Sequence, residues 1–101
     1  MVELYGYSRS NRGAKGLDFQ NQLIKKYSNS INLELEIYSD LNSGSIIGTQ
    51  LQRLVSNIPR GSKIITTKRS RISRNSNDYQ LVVNELRGKN VELIFLDELK
   101  E

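Results

Sequence analysis

The chain has 101 residues, with 15 Lys+Arg against 11 Asp+Glu, a net charge of +4, no histidine and no cysteine. Without Cys there are no disulfides, thiolate nucleophiles or thiolate metal sites, and without His there are no zinc hydrolases, Ser-His-Asp hydrolases or imidazole bases. No apolar run approaches the ~18 residues of a membrane span. The start, Met1-Val2-Glu3-Leu4, lacks a signal peptide's basic and apolar regions, so a soluble, cytoplasmic chain is expected. The length fits a single domain over residues 1–101, able to bury roughly two-thirds of the surface it exposes when unfolded.

The first predicted element is a strand over residues 2–8, rich in β-formers. A helix over residues 17–27 follows, with Phe19, Leu23 and Tyr27 at i, i+4 and i+8. Residues 33–38 alternate Leu33, Leu35 and Ile37 against Glu34 and Glu36, the pattern of a half-exposed outer strand. Glu34 and Glu36 read as solubilising charges on that edge, with no partner carboxylate for acid–base work. Residues 42–48 form a Gly/Ser-rich loop.

Leu51, Leu54, Val55 and Ile58 at i, i+3, i+4 and i+7 predict a second helix over residues 49–58, closed by Pro59 and Gly61. A β-branched strand covers residues 63–67. Tyr79, Val82, Val83 and Leu86 predict a third helix, capped by Ser76 or Asn77 and stopped at Gly88, and residues 91–96 make a fourth strand. The order β-α-β-α-β-α-β predicts an α/β fold: a mainly parallel sheet of four to five strands with helices on both faces. Tyr5, Tyr7, Tyr38 and Tyr79 fall inside these elements and read as core-edge aromatics rather than base-stacking platforms. Lys25-Lys26 reads as a solvated helix face.

Charge is unevenly placed. Residues 41–77 hold Arg53, Arg60, Lys63, Lys68, Arg69, Arg71 and Arg74 and no acidic residue, so the rest of the chain is net negative. Lys68-Arg69-Ser70-Arg71-Ile72-Ser73-Arg74 interleaves cations with hydroxyls, which suits phosphate: guanidinium gives bidentate donors and serine adds short neutral ones. Ligands of such sheets sit outside the carboxyl ends of the strands. The segments predicted there, residues 8–16, 40–48 and 68–74, are the polar and basic ones, which points to one shared anion site.

That edge offers Arg9, Ser10, Asn11, Arg12, Lys15, Asp40, Ser43, Ser45, Lys68, Arg69, Ser70, Arg71, Ser73 and Arg74. One carboxylate cannot ligate a two-metal nuclease centre. Gly44-Ser45-Ile46-Ile47-Gly48 lacks the Gly-Lys-Ser/Thr ending of a P-loop. What remains is metal-free and cofactor-free phosphoryl chemistry, a serine attacking while arginines stabilise the charge, or simple phosphate binding. Composition leaves both open.

Four motifs in order carry a resemblance. Tyr5-Gly6-Tyr7-Ser8-Arg9-Ser10-Asn11 is similar to a Gly-Tyr-X-Arg-X-Ser opening, and Leu17-Asp18-Phe19-Gln20 to a Leu-Asp-X-Gln segment. Asp40-Leu41-Asn42-Ser43-Gly44 resembles Asp-X-X-Ser-Gly, and Arg71-Ile72-Ser73-Arg74 resembles Arg-Leu-Ser/Gly-Arg. Over residues 3–98 the chain thus resembles the catalytic domain of serine recombinases, the resolvase/invertase family. The resemblance implies a resolvase-like fold and site-specific DNA recombination through a 5′-phosphoserine link, with strands exchanged in a tetramer and no metal or nucleotide cofactor.

It also implies that Arg9, Arg71 and Arg74 bind the scissile phosphate, with Ser43 and Gln20 supporting the pocket; Lys68 and Arg69, from the basic run itself, are expected to add phosphate contacts. The expected partners are DNA and either further copies, as a dimer or tetramer, or an intact recombinase. Asn11 fills the nucleophile's place, leaving Ser10 as the nearest hydroxyl. The arginine usually found after Ser-Gly is replaced near Thr49, and the Asp of the usual Asp-Arg pair by Ser70. The family's long oligomerisation helix and C-terminal DNA-binding domain do not fit within the chain. A non-catalytic relative, acting as a DNA-binding or regulatory partner, is the second reading; an unrelated α/β nucleotide- or RNA-binding module is the third.

Overall fold

In the computed structural model, which describes residues 2–11, 13–41 and 47–99, four parallel strands stand in the order β2-β1-β3-β4. They are β1 (Leu4–Ser10), β2 (Leu35–Leu41), β3 (Lys63–Thr66) and β4 (Glu92–Phe95), joined through α1 (Ala14–Ile31), α2 (Thr49–Asn57) and α3 (Ser76–Gly88). The predicted order of elements holds. Residues 42–48, apart from Ile47 and Gly48, lie outside the described residues, as does Arg12.

Strand alternation sorts the core into two layers. Leu4, Ile65 and Ile94 face one side and meet Ile24 of α1. Tyr5, Tyr7, Ile64 and Phe95 face the other, against Leu51, Leu54 and Val55 of α2 and Val82 and Leu86 of α3. Helices therefore cover both faces. Tyr38 is half-buried with its ring 6.5 Å from that of Tyr5, as an aromatic at the edge of the core. β2 is one of the two outer strands, with Glu36 exposed on it and Glu34 exposed just before it.

Two expectations need correction. The stripe Phe19, Leu23 and Tyr27 is not the buried face of α1: Phe19 is 66% and Leu23 38% exposed. The buried face is Gln20, Ile24 and Ser28, one residue around the helix, because Gln20 is drawn inward to hydrogen-bond β1. The cap of α3 is neither Ser76 nor Asn77 but Asn75. Its Oδ1 accepts from Asn77 N at 2.9 Å and Asp78 N at 3.2 Å, satisfying two of the amides a helix start leaves open. Asn75→Ala is accordingly expected to cost about 1 kcal/mol. Denaturant titration should show a lower midpoint at unchanged slope.

Candidate functional site

The first strand leaves the sheet in two directions: β2 lies on one side of β1 and β3 on the other. This is the topological switch point, and its carboxyl end is where such sheets bind ligands. β1 pairs with β2 along residues 4–10 but with β3 only along residues 4–6. The Glu3 carbonyl accepts from Lys63 N on the β3 side, so by alternation the main-chain groups of Tyr5, Tyr7 and Arg9 face that side too. At Arg9, β3 no longer supplies partners.

Side chains take over. Arg9 N donates to Gln20 Oε1 at 3.1 Å, and Gln20 Nε2 donates to Arg9 O at 2.8 Å. The carboxamide of α1 thus stands in for a neighbouring strand. Arg71 Nη1 donates to the same Arg9 carbonyl at 3.3 Å, while Arg9 Nη1 donates to Ile72 O at 3.4 Å. The two arginines are interlocked, each guanidinium on the other's main-chain neighbourhood. β1 runs to Ser10 through its pairing with β2, and with Gln20 and Arg71 serving its other side Arg9 sits inside it at 2% exposure rather than in a loop.

Below Arg9, Asp40 is buried and organises the α2 side. It accepts from Tyr7 Oη at 2.6 Å, from Gln50 N at 3.0 Å and from Leu51 N at 3.1 Å. A carboxylate from the end of β2 thereby caps α2, whose own N-cap, Gly48, has no side chain to offer. Burial first, and then the hydrogen bond to Asp40, hold the Tyr7 phenol well above its usual pKa, with the Arg9 charge acting against them. Tyr7 is a neutral donor here. Gly48 lies against both partners: a Cβ there would overlap the Asp40 carboxylate and come within 2.8 Å of Arg9 Nη2.

The remaining predicted residues separate clearly. Arg71 is half-buried; burial first, and then the charge of Arg74, lower its pKa, so the two cations are neighbours. Arg71 Nε is buried with no hydrogen-bond partner among the described residues. Arg74 is exposed, and so is Asn11, the first residue after β1. Lys68 is exposed on the rim of a groove of about 590 Å³, also lined by Phe19, Leu23, Lys26 and Arg71.

Ser10 turns to the α1 side, opposite Arg9, and is 6% exposed. A Cβ at Gly16, in the first turn of α1, would lie 2.5 Å from Ser10 Oγ, so the serine is packed beneath that turn. Ser43 lies outside the described residues. Arg69 does not join the cluster. Its Nε and Nη2 donate to Glu98 Oε2 and Oε1 at 2.5 and 2.8 Å, and Nη1 donates to Tyr79 Oη at 2.6 Å. Asp40 and Tyr7 lie within the matched motifs, but charge and motif reasoning gave neither of them a role at the site. The lone carboxylate on a cationic edge was the available signal for Asp40.

The family model described as the resolvase N-terminal domain matches residues 4–101. The chain belongs to that family. No curated protein matches the sequence. Among solved structures, the C-terminal catalytic domain of ISC1926 TnpA, an IS607-like serine recombinase, superposes with a TM-score of 0.81 at 17% identity, over 98% of this chain and 71% of that one. A resolvase family site-specific recombinase from Streptococcus pneumoniae gives 0.77 at 24% identity, over 97% and 74%. A serine recombinase from Sulfolobus solfataricus gives 0.73 at 12%, over 100% and 72%. The resolvase fold accounts for the parallel sheet with helices on both faces. Among the described residues, no helix is long and apolar enough to cross a membrane.

Proposed function

We propose that this resolvase-family domain acts in site-specific DNA recombination by engaging a backbone phosphate at the carboxyl end of β1, in oligomers with copies of itself or with an intact recombinase. The observation that carries this is the interlock of Arg9 and Arg71 through each other's main-chain surroundings, with Arg74 beside them. Guanidinium groups held in place before a ligand arrives lose little freedom when they bind a phosphate. Gln20 positions the strand, and Lys68 extends the cationic rim.

A second reading is favoured by a specific feature. The strand-end residue in the nucleophile's place is Asn11, whose carboxamide cannot form a phosphoserine link, and Ser10 is packed under Gly16. The domain then binds DNA without cutting it, as a non-catalytic member of a recombination complex. Both readings need phosphate binding at the same arginines.

Titration with duplex DNA tests this. Neutralising about four phosphates gives a salt slope near −4. Arg71→Ala and Arg74→Ala are each expected to weaken binding and to reduce that slope by about one. Arg53→Ala, an exposed position on α2, should do neither. Equal losses for all three would mean diffuse attraction rather than a site.

A further inference from the structure

Arg69 and Arg71 share the 3-10 turn Arg69–Arg71 but serve different sides of it. At three residues per turn, side chains two positions apart point about 120° away from one another. Arg71 therefore reaches β1, while Arg69 reaches the segment leaving β4. There its guanidinium meets three groups: both carboxylate oxygens of Glu98, the Tyr79 hydroxyl, and the face of Phe95 with Cζ 4.7 Å from the ring centroid. The main chain ties the same elements, with Asp97 N donating to Thr67 O at 3.0 Å.

We propose that Glu98 is a positioning residue for the phosphate-binding arginines: by gripping Arg69 it fixes the rotation of the turn, and so holds Arg71 against β1 with Arg74 beside it. This rests on the reading of Arg71 and Arg74 as phosphate ligands. The grip is bidentate, which specifies orientation as well as attraction. The Phe95 ring and the Tyr79 hydroxyl add a second and third constraint that a lone surface ion pair lacks. It is also placed where restraint matters, since Arg71 is the residue of the turn that donates to the Arg9 carbonyl of β1.

The sign of one substitution separates this from plain electrostatics. Glu98→Ala deletes an anion beside a cationic edge and releases Arg69. Electrostatics alone therefore predicts tighter DNA binding. Positioning predicts weaker binding by about three- to fivefold at low salt, within the range a well-oriented exposed pair supports. Glu98→Gln, which keeps an acceptor, should recover part of the loss. In an Arg71→Ala/Arg74→Ala background, Glu98→Ala should cause no further loss.

A second readout needs no DNA. The amides of Arg71 and Ile72 donate within the turn, to Lys68 O and Arg69 O, each at 3.0 Å. Their hydrogen exchange should quicken about three- to fivefold in Glu98→Ala while core amides of β1 stay unchanged. Unchanged exchange at the turn, or tighter DNA binding by Glu98→Ala, overturns the proposal. Should the unaltered chain ignore DNA, the phosphate-binding reading falls, and the exchange rates still decide whether Glu98 holds the turn.

Discussion

Replacing Asn11 with serine is expected to turn a chain that forms no covalent complex with DNA into one that does. The residue follows β1 directly, is exposed, and sits next to the interlocked Arg9 and Arg71. A serine there gives an oxygen nucleophile: its Oγ loses a proton and forms the bond to phosphorus, while the bond to the 3′-oxygen breaks and that oxygen leaves as a hydroxyl. Charge developing on the non-bridging oxygens meets guanidinium groups already in place. Loss of a serine nucleophile in other enzymes costs on the order of 10⁶ in rate. The gain should therefore be all-or-none on a denaturing gel with a nicked trapping substrate. No adduct from the unaltered chain and one from Asn11→Ser is the expected pair of results. An adduct from the unaltered chain that vanishes in Ser10→Ala would instead assign the chemistry to Ser10. That outcome would require the serine to leave its seat under Gly16.

Most of the fold was legible because local patterns and global topology agree. The β-α-β alternation, the outer position of β2 and the terminators after α2 all follow from periodicity and turn chemistry. The failures at α1 and β1 share a cause: each depends on a side chain serving distant backbone. Periodicity favoured Phe19, Leu23 and Tyr27 as the inner face of α1, since nothing local marks Gln20 as the residue that completes β1. The end of β1 was misplaced for the same reason. Residues 9 and 10 look like loop, but β2 pairs with both, and Gln20 and Arg71 serve Arg9 on the side that β3 leaves open.

The site was legible in part. Motif resemblance selected Arg9, Arg71, Arg74 and Gln20, and the structure brings Arg9, Gln20 and Arg71 into one hydrogen-bonded cluster, with Arg74 next to Arg71. Charge alone could not separate Arg69 from Arg71, two arginines of one basic run. Their difference is the angle between them on a 3-10 turn. Asp40 could be seen as an isolated carboxylate. Its work as an inter-element cap needed the approach of α2, which Gly48 permits.

Gly48→Ala is expected to cost about 3–5 kcal/mol, a large share of the 5–15 kcal/mol that holds a domain together. Backbone conformation is not the reason. Gly48 has φ −66° and ψ 148°, values open to any L-residue. The reason is crowding: the new Cβ would overlap the Asp40 carboxylate and press on Arg9 Nη2. Overpacking of this kind costs about 1–3 kcal/mol. Displacing the carboxylate strands buried donors at about 1–3 kcal/mol each, among them Tyr7 Oη and the amides of Gln50 and Leu51. Asp40→Ala should cost a similar amount by emptying the same node. The pair then makes a sharp test. With Asp40 already alanine, only the far end of the Arg9 side chain has to shift beside residue 48, and adding Gly48→Ala should cost no more than about 1 kcal/mol, the ordinary penalty of alanine at a helix N-cap. Chemical denaturation of the two single variants and the double variant measures this coupling. Additive losses would mean that Gly48 is needed for something other than the approach of α2 to Asp40, and the site would have to be rebuilt from the α2 side.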